Sequence, residues 1–417
     1  MKTRLVAALM LAAVPVFVGQ AWAAEPDGLT LPPGFHASVV AEGLGPIRHM
    51  AVSDKGDIYV STRHGKDQPS LGIIALRLGA DHKPVQTEHF SSVDQGTGIR
   101  VYKGALYAAS GTGVYRFPLA EALVPTAQPE LIVDGLTATN HPIAFDGRGN
   151  LYVSIDGGGG PNNCPDPANP KDAKPKGLMP CPLLETRGGI WRFDAGKPGQ
   201  KFADGTRFAT GIRNSSAMDW RTGDALYSAW HGRDDTAHTW PEYLTQADDD
   251  NIADEMFRVT QGTDMGWPYT YWDGAKSKRM LAPDYGGNGK TEAESGKYAV
   301  PVAAFSPMRP AVLDMAFYTG SKFPRSFRSG AFLAMHGGAT GVLPGGHNGY
   351  NVMFVPFTGG KAGKPVEFAG GFAGEGPAAR NGKTAAYRPV GVAVAPDGAL
   401  YVADSNKGRI WRISYGE

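Results

Sequence analysis

Six short runs along the chain alternate apolar and polar residues around an aromatic: DIYV with Tyr59, ALYA with Tyr107, NLYV with Tyr152, ALYS with Tyr227, AFLA with Phe332 and ALYV with Tyr401. Each is followed by a second strand-like run: GIIALRL from Gly72, GVYRFPL from Gly113, GGIWRFD from Gly188, DEMFRVT from Asp254, YNVMFVPF from Tyr350 and GRIWRIS from Gly408. Period-two alternation marks half-buried strands, and a strand-rich unit recurring at blade-like intervals predicts an all-β, six-bladed β-propeller. Most units have an inner strand just upstream: HMAVS from His49, IAFD from Ile143, AMDW from Ala217, DMAF from Asp314 and VAVA from Val392. FHASVV from Phe35 has no inner strand before it, so it is expected to close the last blade.

The chain begins as an exported protein does. Lys2 and Arg4 precede an apolar run from Leu5 to Val18, and Ala21-Trp22-Ala23 offers small residues for a signal peptidase. Residues 1–23 therefore read as a secretory signal and 24–417 as a single propeller domain, periplasmic or secreted. The apolar run is too short to span a bilayer. Loss of the signal takes Lys+Arg from 41 to 39 against 40 acids. Such a balance gives no electrostatic case for nucleic acid or an anionic membrane.

Cys164 and Cys181 bracket a proline- and lysine-rich stretch without strand or helix periodicity. In an exported protein this predicts a disulfide pinning a long loop of the third blade. No Cys-x-x-Cys-His occurs, so electrons would leave to a separate acceptor. The 57 glycines and 32 prolines suit a many-stranded, turn-rich fold. Segments 236–251 and 272–297 read as surface loops, and the acidic run Asp248-Asp249-Asp250 with Asp254-Glu255 as a solvated loop or a structural calcium site.

Propeller topology selects the residues that face a ligand. Loops leading into each inner strand, and loops joining second to third strands, surround one mouth of the channel. The first set carries Arg48, Asn140-His141, Arg213-Asn214, Arg309 and Tyr387-Arg388. The second begins with Arg63-His64-Gly65, Asp156-Gly157, His231-Gly232-Arg233-Asp234, His336-Gly337 and Asp404. A basic ring interleaved with histidines predicts an anion site, because the arginine fork pairs carboxylates bidentately and keeps its charge. The alternative for any one arginine is an ion pair with Asp234, Asp235 or Asp404.

TNHPIAFDGRGNLYVSIDGG (139–158), ETRGGIWRFDAG (185–196), TGIRNSSAMDW (210–220), WHGRDD (230–235), DMGWPYTY (264–271) and YRPVGVAVAPDGALYVAD (387–404) resemble the soluble, pyrroloquinoline quinone (PQQ)-dependent sugar dehydrogenases, most closely their L-sorbosone dehydrogenase-like branch. The likeness runs through nearly the whole mature chain. It implies a six-bladed propeller that holds PQQ and calcium over the channel mouth and oxidises a sugar hydroxyl or hydrated aldehyde. By this resemblance His141 is the general base and Arg213 stabilises charge on the quinone oxygen. Asn214 and Arg388 contact the cofactor, and the carbonyls of Gly232 and Arg233 bind calcium.

The sequence also departs from that family. A second family arginine falls on Ala386, and a cofactor-binding lysine is absent from MHGGATGVLPGGHNGYN. Arg309 or Arg63 are the candidates to compensate. Two other classes share the fold: calcium-dependent lactonases, for which Asn214, Asp156 and Asp404 would be ligands, and non-catalytic propellers that bind a glycan or peptide. The substrate's far end is read by loops after Gly157, Thr236 and Trp272, whose conformations the sequence does not specify.

Overall fold

The structure, a computed structural model, describes residues 23–24, 28–63, 72–90, 96–138, 140–157, 162–166, 174, 176–307, 310–338 and 348–416. Six sheets, antiparallel but for a two-residue parallel strand at the outer edge of two of them, are the six expected blades. All six predicted second strands form, from Ile58–Thr62 in blade 1 to Leu400–Asp404 in blade 6, and so do their third-strand partners, from Ile73–Leu78 to Ile410–Tyr415. The inner strand of blade 2, Ile99–Tyr102, was not expected; its IRVY is too short to show a period. Phe35–Ala41 pairs antiparallel with Ile410–Tyr415 and completes blade 6, as predicted, so the ring is fastened by joining the two ends of the described chain. The predicted signal peptide lies, but for Ala23, outside the described residues.

The alternation understated how deeply the strands are buried. Every residue of Ile58–Thr62, Ala105–Ala109 and Leu226–Trp230 is buried, because each blade is packed on both faces. The core accordingly divides into six clusters, one at each junction between neighbouring blades. Some buried polar residues pair within the sheets, as where Ser228 Oγ lies 2.9 Å from Ser215 Oγ. The recurring tyrosine stitches blades together, Tyr59 donating to Leu123 O at 3.0 Å and Tyr107 to Ala195 O at 2.9 Å.

Segments 236–251 and 272–297 are not simple surface loops. Short helices Thr236–Thr239 and Gln246–Asp250 and the hairpin of Thr270–Asp273 with Lys278–Leu281 enclose a satellite core of Trp240, Leu244, Ile252, Tyr271 and Met280. The acidic run is not solvated throughout either. Asp249 is buried, accepting from the Thr236 amide at 2.8 Å, and Glu255 is buried against Arg279. Cys164 and Cys181 form the expected disulfide, with Cα atoms 5.6 Å apart.

Candidate functional site

Four inner strands begin irregularly at the channel mouth. Register shifts fall between Ile47 and Met50, Ser215 and Ala217, Val312 and Asp314, and Pro389 and Gly391. Such shifts re-aim side chains without ending the strand. The first of them spans Arg48 and His49.

Arg48, Arg63 and Arg388 come together here from blades 1 and 6. Arg48 Nε is buried without a hydrogen-bond partner among the described residues. Burial, then Arg63 and Arg388, lower the Arg48 pKa to about 9, against the opposing charge of Asp314. Arg63 is lowered by burial with Asp156 opposing, and Arg388 by burial with Tyr350 and Asp404 opposing. The Arg388 fork donates to carbonyls, Nη2 to Gly337 O at 2.7 Å and Nε to His336 O at 3.1 Å, and stands 5.6 Å from the Tyr350 ring centroid. Asp404 does not pair with it. That carboxylate accepts the backbone amides of Arg388, Asn406 and Lys407. Guanidiniums crowded together, with no carboxylate in an ion pair with them among the described residues, are an anion site in electrostatic terms. Arg309 lies outside the described residues, as do His64 and Gly65.

Arg213 follows the alternative reading, at least in part: it is buried, Nη2 pairing with Asp234 at 2.6 Å and Nη1 donating to Gly232 O at 2.6 Å. Asn214 Oδ1 accepts from Asn140 Nδ2 at 3.2 Å, and Asn140 also donates to Ser215 O and Ser216 Oγ at 2.8 Å, tying the lead-in strands of blades 3 and 4.

His141 is fully buried, with Nδ1 3.1 Å from Ser154 O and Nε2 3.3 Å from Gly111 O. Burial lowers its pKa, so the ring is neutral near pH 7. A neutral ring donates to one of the two carbonyls, whereas a protonated one donates to both. The more open imidazoles are His231, 2.8 Å from Val312 O, and His336, 2.8 Å from Ser405 Oγ. Burial and the charges of Arg388 and Arg48 drive His336 well below its usual range.

The predicted calcium loop is held on several sides. Asp254, fully buried, accepts the Gly232 amide at 3.0 Å and the Val312 amide at 3.2 Å. Among the described residues no three His, Cys, Asp or Glu cluster as metal ligands. Carbonyl ligation is a different donor set: Gly232 O is aimed at Arg213 in the mouth, and its second lone pair suits a hard cation. Below the mouth, Arg100 reaches across the channel to Asp314 Oδ1 at 3.0 Å and to Met218 O at 3.2 Å. Burial raises the nearby Asp219 to about 6, Arg100 opposing. This crossing turns the channel into a funnel.

Sequence reasoning placed Arg48 in the ring but did not single it out. It read Asp254 as part of a solvated or calcium-binding acidic run and gave Asp314 no role beyond its strand, because only the ring closure brings them to the mouth and waist.

A six-bladed propeller with a cationic, histidine-lined funnel at one mouth defines the class. Within it, the chain belongs to the TrAA12-like family, whose profile matches residues 184–416. No curated protein matches the chain. Among solved structures it is similar to the holo form of the pyranose dehydrogenase PQQ domain from Coprinopsis cinerea, at TM-score 0.69 and 17% identity, covering 94% of this chain and 98% of that one. A calcium structure of Trichoderma reesei carbohydrate-active enzymes family AA12 gives TM-score 0.70 and 17% identity, covering 93% and 97%. PQQ-bound aldose sugar dehydrogenase from Streptomyces coelicolor gives TM-score 0.56 and 18% identity, covering 92% and 99%. At these identities the likeness is one of fold.

Proposed function

We propose that this chain is a PQQ- and calcium-dependent oxidoreductase that oxidises a sugar hydroxyl or hydrated aldehyde and passes the electrons to a separate acceptor. The observation that carries the reading is the cluster of Arg48, Arg63 and Arg388, which form no ion pair with a carboxylate among the described residues and suit the three carboxylates of a flat quinone. Arg48 would supply some of the positive charge that the missing family lysine and second arginine leave wanting. Arg63 and Arg388 flank it, Asn214 adds an amide, and the carbonyls of Gly232 and Arg233 would hold the calcium. The family membership and the PQQ named in two of the similar structures support the same reading. PQQ, when bound, supplies the two-electron acceptor for hydride, and calcium polarises it.

The chain's own residues supply the rest. His141 takes the substrate's hydroxyl proton at Nε2, while Nδ1–H is held by Ser154 O. Nε2 faces Gly111 O in this structure, so taking the proton requires its single in-plane position to turn from that carbonyl to the substrate, after which the imidazolium can donate to Gly111 O. Arg213, fixed by Gly232 O and Asp234, keeps positive charge beside the developing negative charge. Export accords with the disulfide, which persists in oxidising compartments.

The test is reconstitution of purified protein with PQQ and calcium chloride, followed by an absorption spectrum and a dye-reduction screen over aldoses, ketoaldoses and δ-lactones. Quinone absorbance with turnover on a sugar is expected. Lactone hydrolysis without quinone would replace this reading with the lactonase one.

A further inference from the structure

A backbone carbonyl binds a cation well only if its loop is already held in place, since peptide oxygens have no side chain with which to adjust. The Gly232-Arg233 backbone has an unusual brace. Arg233 is 3% exposed, and its guanidinium is turned to the protein interior. Nη2 pairs with the buried Asp284, and Nη1 donates to Asn162 O at 2.8 Å. Asn162 in turn holds the next peptide from both sides, its Oδ1 accepting the Asp234 amide at 3.0 Å and its Nδ2 donating to Asp234 O.

The brace rests on the disulfide. Asp284 accepts from Asn163 Nδ2 at 3.0 Å, and its carbonyl accepts the Gly177 amide at 3.1 Å. The Cys164 amide donates to Tyr285 Oη at 2.9 Å, and the Cys181 amide to Tyr269 Oη at 2.8 Å. Gly177 lies so close that a Cβ there would fall 2.1 Å from the Tyr285 ring. Blade 3's disulfide-joined stretches and blade 4's insertion are thus one unit, and Arg233 is its link to the mouth.

We propose that Arg233 is a positioning residue: its side chain, held by Asp284 and Asn162 on the disulfide-joined stretches, sets the geometry of the Gly232-Arg233 carbonyls that take the cation. The inference rests on the calcium reading above and adds what holds those oxygens still. Charge fits the role, because Asp284 neutralises a guanidinium that would otherwise repel a cation bound by the same residue's carbonyl. Asn162 and Asp284, in segments that as free loops would only border substrate, here act on the cation.

The experiment is calorimetric titration of calcium chloride into chelator-treated, full-length protein. Asn162→Ala removes the hold on Asp234 without leaving a buried charge, and Asp284→Asn keeps the shape but not the charge. Asp57→Asn, which breaks the pair with Arg77 in blade 1, is the control for general destabilisation. Both brace variants should bind calcium about tenfold or more weakly, the range usual for residues that orient ligands, while Asp57→Asn matches wild type. Wild-type affinity in both brace variants overturns the inference. An equal loss in Asp57→Asn also overturns it, since affinity would then follow stability alone. A wild-type protein that takes up no calcium overturns the cation reading itself, and this inference with it.

Discussion

His141 and Arg48 illustrate how burial turns ordinary side chains to use. The depressed His141 pKa keeps the base form present further into acid than a free imidazole would allow. Protonation removes the base, so activity is lost only as pH falls through that lowered value. The acid limb of kcat/KM in the reconstituted enzyme should therefore have an apparent pKa below 6.5. A limb at or above 6.5 assigns the base elsewhere. His141→Ala should lower turnover by roughly a hundred- to ten-thousand-fold with PQQ and calcium affinity near wild type. If turnover is normal, His231 and His336 are the next candidates.

Arg48 makes the opposite prediction, for binding. Burial and the neighbouring guanidiniums of Arg63 and Arg388 make the charge on Arg48 costly in the free protein, and a bound carboxylate would relieve that cost. Arg48→Met should weaken PQQ affinity at neutral pH, measured by quinone fluorescence quenching; an unchanged affinity would remove Arg48 from the site.

At the scale of elements, the inner-strand bulges and the two insertions decide what the mouth contains. The bulges aim Arg48 at the ring, and the disulfide-joined stretches support the 231–235 loop. Cys164 and Cys181 are 17 residues apart, and closing such a loop is worth roughly 3 kcal/mol in the chain-entropy account. The double variant Cys164→Ser/Cys181→Ser should lose about that much in urea unfolding, with m unchanged. A loss within about 0.5 kcal/mol would mean that the hydrogen bonds of Tyr269 and Tyr285 hold these stretches without the bridge.

At the scale of the molecule, the six interblade cores and the Phe35–Ala41 closure make the mouth a rigid frame, and the Arg100 crossing closes it below. A rigid cationic frame that binds a trianion should be stabilised by it through mass action. PQQ with calcium at about a hundred times the dissociation constant should add about 2.7 kcal/mol to unfolding, read as a shift in Tm. No shift with both present would refute the cofactor reading.

The strands and their number were legible from sequence because alternation and recurrence are local properties, and the closing strand because Phe35 had no inner strand of its own. So was the meeting of Arg48, Arg63 and Arg388, since propeller topology dictates which loops share a face. What sequence could not supply was pairing. Whether Arg213 meets Asp234, whether Asp404 is consumed by backbone amides, and whether Arg48 Nε is left without a partner among the described residues all depend on contacts across the ring. Asp314 and Arg100, 214 residues apart, meet only because the ring closes. The acidic run looked solvated because charge favours water, and Asp254 and Glu255 are buried only because backbone amides and Arg279 replace that water. Periodicity determined the blades; three-dimensional closure decided which charges are paired and which are left for a ligand.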